Sequence, residues 1–244
     1  PNYEPQPTRL SMLAILNGIE GLEGKLDVIA EKDLGKRLHE SGGELQRYAV
    51  IHAARARAQR GMSPLLRSPG ETLVLTMEAI HAPKEVRPHM CSNMLLTLLT
   101  YVDKPESQHI NPEVLTHTAR YARQLEAAVD SGATIEPPQF YRGAAVNYAG
   151  YTLFWAGLHL QDGAMMAEGM EKLLESVSAP HFEGDGVWAN SLRVVDEALA
   201  RELPSGKIWA GSLTDIIQRS SDITLDQALS TKTLPSLQHY WKRS

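Results

Sequence analysis

A chain of 244 residues can bury a large core, and 43% hydrophobic with 22% charged residues excludes the disordered and fibrous classes. The formal charge of −5 excludes a uniformly basic nucleic-acid binder, although it allows a local basic patch. The single cysteine, Cys91, excludes an intramolecular disulfide and a multi-thiolate metal site. The opening residues lack a signal-peptide pattern, and no apolar run is long enough to span a membrane. We therefore expect a cytoplasmic protein that does not enter the membrane.

The first element in chain order is an arm followed by a long helix. Three prolines in the first seven residues predict an extended arm over residues 1–9. Apolar side chains then recur at three- and four-residue steps, which is typical of one helical face. Glycines repeat every third residue inside this helix and indicate either a close crossing or a local break. The apolar positions are Leu10, Leu13, Leu16, Ile19, Leu22, Leu26 and Ile29.

An arginine-rich helix is predicted next, between residues 44 and 61. Guanidinium groups suit phosphate, so this segment and its following loop are a candidate nucleic-acid interface. At 100° per residue the arginines do not share one stripe, which also favours a solvated face whose cations pair with acidic residues elsewhere. The candidate nucleic-acid residues are Arg47, Arg55, Arg57, Arg60 and Arg67.

The middle of the chain contains one well-marked helix. Asn111 is a good N-cap, Pro112 suits the first helical position, and Gly132 closes the far end. An apolar helix over residues 89–102 precedes it, and a proline-stiffened linker over residues 133–140 follows. This linker is the expected domain boundary.

Two helices with a break near Asp162 and Gly163 are predicted after the linker. Tyr148, Tyr151 and Trp155 fall on one face, which indicates either a stacking platform for a ligand or an aromatic packing seam. A glycine-rich loop over residues 179–187 and several shorter helices complete the chain. No segment alternates apolar and polar residues as a strand does.

These elements predict an all-α fold, either a multi-helix bundle or an irregular stack of helical hairpins, with about 9–11 helices and little or no sheet. The expected domains are the arm at 1–9, an N-terminal helical subdomain at 10–132 and an aromatic-rich C-terminal subdomain at 140–244. The two subdomains could equally form one continuous domain.

Motifs for catalysis, metals or cofactors are weak. Cys91 and His89 lie two positions apart and face opposite sides of a helix, so they do not form a nucleophile–base pair. No two histidines have the i, i+4 spacing that would let them share a metal ion. The run "EGDG" at 183–186 lacks the lysine of a phosphate loop and the regular oxygen ligands of a calcium loop. We expect neither a metal nor a cofactor.

The region from Asn147 onward resembles one unit of a tetratricopeptide-type helical hairpin. The residues that carry the resemblance are Ala149, Tyr151, Gly157, Leu158, Asp162, Ala167 and Leu174. Such hairpins form interaction scaffolds when several copies stack, and one copy is visible in this sequence.

The same region, extended through the "GDG" run and Trp188, is similar in layout to helical-toroid polysaccharide lyases. The resemblance implies that Asn147 neutralises a uronate carboxylate while Tyr148 or His159 handles the proton, in a groove that also contains Arg193. The histidine and tyrosine that follow the glycine turn in that family have no counterpart in this chain.

The leading functional prediction is a non-enzymatic helical protein that works by assembly, either with itself or within a larger complex. It depends on the proline-rich arm, the charge asymmetry along the chain and the apolar tail at 237–241 with a basic end. The alternatives are a carbohydrate-active enzyme of the lyase kind, with candidate catalytic residues Asn147, Tyr148, His159 and Arg193, and a nucleic-acid-binding subunit.

Overall fold

The computed structural model describes residues 76, 79–81, 87–102, 112–132, 138–178, 185–220, 227 and 234–243. Every regular element in this part of the chain is an α-helix and no strand occurs there, which confirms the all-α class. The predicted arm and the arginine-rich helix lie outside the described residues, as do most of residues 10–132 and therefore part of the predicted helix count. None of the described helices combines the length and apolar character needed to cross a membrane.

Seven helices have defined bounds. They are α1 Arg87–Val102, α2 Pro112–Gly132, α3 Pro138–Leu160, α4 Gly163–Ser178, α5 Asp185–Ala200, α6 Gly206–Arg219 and α7 Pro235–Trp241.

Two of the expected loops are shorter than predicted. Helix α2 has its predicted bounds, but α3 begins inside the expected linker, at Pro138. A proline is compatible with this position because the first helical N–H groups have no intrahelical acceptor. The glycine-rich loop at 179–187 is likewise shortened, because Asp185 already begins α5.

Helices α3 and α4 cross closely because glycines lie at the contact. A Cβ atom at Gly169 would lie 2.5 Å from the backbone nitrogen of Phe154 and 2.6 Å from the carbonyl oxygen of Gly150. A Cβ atom at Gly157 would lie 2.8 Å from the backbone nitrogen of Met166. Any larger residue at these positions would push the two backbones apart.

The predicted break between these helices is confirmed and is a tight left-handed turn. Gln161 has φ 56°, and the N–H of Asp162 donates to the carbonyl of Gly157 at 2.8 Å. This is the Schellman arrangement, with glutamine at the position where glycine is usual. The Asp162 carboxylate then accepts the N–H of Met165 at 3.0 Å and caps α4.

Ion pairs connect α2 and α3 to α4. Arg123 donates to Glu168 at 2.9 Å, Lys172 to Glu126 at 2.8 Å, and Arg142 to both Asp130 and Glu175 at 3.1 and 2.9 Å. The hydrogen bond from Arg123 lowers the pKa of the Glu168 carboxyl. Burial raises the pKa of the Glu126 carboxyl, although the hydrogen bond from Lys172 opposes this effect. We call α2, α3 and α4 the hairpin layer.

One large apolar cluster runs through the described helices, and a second, small one consists of Ala119, Leu153 and Ala156. Helix α3 packs against α1, α2 and α4, so elements before and after residues 133–137 share the large cluster. Helix α5 contacts α3, α4, α6 and α7 and joins the hairpin layer to the end of the chain. We call α5, α6 and α7 the C-terminal unit.

Candidate binding site

A groove lies where α5 ends, α6 begins and α7 packs beside them. The turn between α5 and α6 is a second Schellman arrangement, in which Glu202 has φ 52° and the N–H of Leu203 donates to the carbonyl of Ala198 at 2.9 Å. Because Glu202 has a left-handed backbone, the chain reverses within a few residues and α6 starts at Gly206. This reversal forms one wall of the groove.

Helix α7 forms the opposite wall and is held by two polar contacts. The carboxylate of Asp196 on α5 accepts the N–H of Leu237 at 2.8 Å, which supplies a cap to a helix that has no side-chain cap of its own. Burial raises the pKa of the Asp196 carboxyl, and the N–H groups of Leu237 and Ser236 partly offset this effect. At the other end of α7, the indole N–H of Trp241 donates to the hydroxyl of Thr214 on α6 at 2.7 Å.

The groove has a volume of about 1160 Å³, which is above the roughly 300–1,000 Å³ of most small-molecule sites. Its described walls are mainly apolar, with charged groups and a histidine among them. The lining residues are Leu199, Ala200, Glu202, Leu203, Pro204, Lys207, Pro235, Ser236, His239, Tyr240 and Arg243.

The cations of the groove differ from the cations that connect the helices of the hairpin layer. Within the described residues, the side chains of Lys207 and Arg243 form no salt bridge or hydrogen bond. Both residues are exposed, whereas Arg123, Arg142 and Lys172 are all paired with carboxylates. Among the described residues, therefore, no carboxylate pairs with the two cations of the groove.

Ser236, His239 and Glu202 also line the groove and are residue types used in nucleophilic catalysis. An activated serine needs a hydrogen bond to its base, and in the described part of the chain none joins Ser236 to His239. Nor does that part of the chain bring three His, Cys, Asp or Glu side chains together as possible metal ligands.

Asn147, the first candidate catalytic residue, is fully buried in a polar network among three helices. Its amide nitrogen donates to Ser176 on α4 at 2.9 Å and to the carbonyl of Val187 on α5 at 3.3 Å. Its amide oxygen accepts a hydrogen bond from Asn190 at 2.8 Å. The Asn147 side chain therefore joins α3, α4 and α5, and it is not exposed to a polysaccharide.

The other candidate catalytic residues lie around the aromatic seam. Tyr148 is half-buried, while His159 and Arg193 both contact Trp155: the ring centroids of Trp155 and His159 are 6.3 Å apart, and the Arg193 guanidinium lies 5.8 Å from the Trp155 ring centre. Tyr151 and Trp155 are 1% and 8% exposed, which confirms the packing interpretation of the aromatic face. The groove at the C-terminal unit is lined by none of the four candidates.

Cys91 is buried on α1, and burial raises the pKa of its thiol to about 12. A thiol with this pKa is not a nucleophile at neutral pH, in line with the sequence-based expectation. The candidate nucleic-acid residues Arg47, Arg55, Arg57, Arg60 and Arg67 lie outside the described residues.

Sequence reasoning noted the apolar tail and its basic end but missed the groove that they help to form. The available signal was the pair of prolines, Pro204 and Pro235, each next to a short helix in a cationic segment. The capping contact from Asp196 to α7 spans 41 residues of sequence and has no local signature.

The chain matches no protein-family model, no curated protein and no solved structure at a significant level.

Proposed function

We propose that this chain is a non-enzymatic helical interaction protein of the cytoplasm that assembles with itself or joins a larger complex through its C-terminal unit. The observation that carries the proposal is Ile208, whose side chain is 68% exposed on α6. Its sequence neighbour Lys207 lines the groove. An exposed apolar side chain next to a partly apolar groove is typical of a contact surface, whereas an isolated one needs no explanation.

The residues that could take part in catalysis support the same proposal. Asn147 and Cys91 are buried, the first in a satisfied hydrogen-bond network and the second among apolar side chains. Catalysis needs reactive groups that a substrate can reach. The accessible groups at the groove include two cations and apolar surface, which favour recognition of a partner.

The proposal is tested by light scattering over a range of protein and salt concentrations, together with cross-linking in cell extract and identification of stoichiometric partners. We expect a species larger than the monomer or one recurring partner. The Ile208→Ser variant should lose that species, whereas Gln218→Ser, an exposed change on the same helix, should retain it. A monomer at every concentration with no recurring partner would contradict the proposal.

A further inference from the structure

We infer that the groove of the C-terminal unit binds an acidic peptide segment of a partner protein that also carries apolar anchor side chains. This inference rests on the proposed function and specifies the chemistry of the partner. It depends on three properties of the groove: its size, its apolar walls and its unpaired cations.

The walls determine which class of macromolecule fits. Leu203, Pro204 and Pro235 line the groove, and the aromatic rings among the described lining residues are those of Tyr240 and His239. Single-stranded nucleic acids are bound on several aromatic rings that stack successive bases. Apolar side chains of a peptide instead fill aliphatic and proline-lined surfaces, so these walls favour a peptide.

Charge determines the kind of peptide. Lys207 and Arg243 line the groove and pair with no carboxylate of the described residues, among which Glu202 is the one carboxylate in the lining. An acidic peptide would pair with both cations, whereas a basic peptide would meet two like charges, and such charges across an interface select against wrong partners. Glu202 opposes the same acidic peptide, so its removal should strengthen binding.

The walls are also held in place before any peptide arrives. The carboxylate of Asp196 on α5 caps the first turn of α7, and the indole N–H of Trp241 donates a hydrogen bond to Thr214 on α6. Helix α7 is therefore attached to both helices. A site that is formed before binding loses less conformational entropy when the peptide is ordered. The groove therefore suits a short peptide segment rather than a large partner surface that folds upon binding.

The test uses a phage-displayed library of random dodecapeptides, selected on the full chain and on the Lys207→Ala/Arg243→Ala variant. We expect enrichment of acidic sequences with apolar residues on the full chain alone. Synthetic peptides of the enriched sequence should bind the variant about tenfold more weakly by fluorescence anisotropy, and binding to the full chain should weaken as salt increases.

Two controls separate the site from overall charge and from misfolding. Arg120→Ala/Arg219→Ala removes the same charge outside the groove and should leave binding unchanged. Glu202→Gln should strengthen binding about threefold, a gain that an unfolded protein would not show. Thermal melting followed by circular dichroism checks that each variant is folded.

Several outcomes would overturn the inference. They are enrichment of neutral or basic peptides, no enrichment at all, equal binding by the Lys207→Ala/Arg243→Ala variant, and displacement of the peptide by single-stranded RNA. A fall in the bound fraction of peptide as the concentration of the full chain is raised into its self-associating range would show that the groove takes a second copy of the chain instead. If the peptide test fails but Ile208→Ser still abolishes assembly, the interaction function stands and only the acidic-peptide inference falls.

Discussion

The cations that connect the hairpin layer and the cations of the groove differ in their contacts with carboxylates of other helices. In the hairpin layer Arg123, Arg142 and Lys172 each contact a carboxylate on a neighbouring helix. In the C-terminal unit Lys207 and Arg243 have no such contact within the described residues, although both lie beside a groove. Charged side chains that pair with a carboxylate on another helix help to hold the helices together. Charged side chains without such a contact are available to a partner.

The two regions also differ in the space that surrounds their glycines. In the hairpin layer, Gly150 and Gly169 lie against the opposing backbone with no room for a Cβ atom, although Gly163 at the start of α4 has open space. In the C-terminal unit, a Cβ atom at Gly206 would lie 3.0 Å from the Ala198 carbonyl oxygen, whereas the nearest neighbour of one at Gly211 would be the Tyr240 hydroxyl, 3.8 Å away. The crossing of α3 and α4 is therefore the part least tolerant of change, and the middle of α6 is a part where a binding surface can vary.

The largest expected effect comes from enlarging a glycine of the hairpin layer. Gly169→Val should lower the free energy of unfolding by about 3 kcal/mol, measured by urea denaturation, because its side chain meets the backbone of α3. If this variant does not fold, Gly169→Ala tests the same contact. Gly163→Ala is the control, since nothing lies within 4 Å of its Cβ position, and it should stay near the unchanged protein. A Gly169→Val protein of undiminished stability would show that the two helices can separate without cost.

The next effect comes from the polar network beneath the aromatic seam. Asn147→Ala should lower the free energy of unfolding by about 2 kcal/mol, because it removes hydrogen bonds to two other helices and leaves the amide N–H of Asn190 without its acceptor. Asn190→Ala is the matched change at the half-buried end of the network and should cost less. If Asn147→Ala kept full stability, the Asn147 side chain would be free for a role other than packing.

A smaller effect is expected at the attachment of α7. Asp196→Ala should cost about 1 kcal/mol, because α7 loses its cap, whereas Asp196→Asn keeps an oxygen acceptor. The free energy of unfolding is measured against pH for all three proteins.

The pH dependence of Asp196 has a definite sign. The folded-state pKa is raised above the ordinary value of 3.8, so the folded protein binds the proton more tightly than the unfolded chain does. The ionised carboxyl therefore costs stability once the pH exceeds the folded-state pKa, and this cost disappears as the pH falls to 3.8. Relative to Asp196→Asn, the unchanged protein should lose stability as the pH rises through that window. An equal pH dependence in the two proteins would show that Asp196 is not desolvated.

The smallest expected effect is a gain. Gly211→Ala lies inside α6 with space for its methyl group and should raise the free energy of unfolding by about 0.5–1 kcal/mol. Gly150→Ala in the hairpin layer should have the opposite sign, since its methyl group would lie 2.7 Å from the carbonyl oxygen of Gly169. The same substitution with two signs, followed by thermal melting, would sharpen the contrast between the regions. If Gly211→Ala lowered the stability, the contrast between the two regions would not hold.

Much of the fold could be predicted from local patterns. The cap at Asn111, the proline after it and Gly132 predict the bounds of α2, because these residues act on their own turn of helix. The start of α3 was missed, because a proline pair ends one helix as readily as it begins another. Whether a segment is helical depends on its neighbouring residues. Whether its first residues form a loop or the first helical turn depends on what they pack against.

The candidate site was harder to predict from local sequence patterns. Asn147 stood out as a polar residue beside an aromatic face, but its partners Ser176, Val187 and Asn190 come from two other helices. The groove combines residues from 199 to 243, and its walls are connected by the contact between Asp196 and Leu237. No periodicity relates such positions, because they are brought together only when the helices pack.

By itself the sequence determined the helical class and the break at Asp162, since these follow from side-chain spacing and from backbone preference within a few residues. It left the aromatic face open between a ligand platform and a packing seam. Tertiary structure alone decided which glycines form the crossing, that Asn147 is internal and that Lys207 and Arg243 share one groove. The reason is physical: spacing specifies which face of a helix is apolar, but only the packing of several helices specifies which polar groups are satisfied and which remain open to a partner.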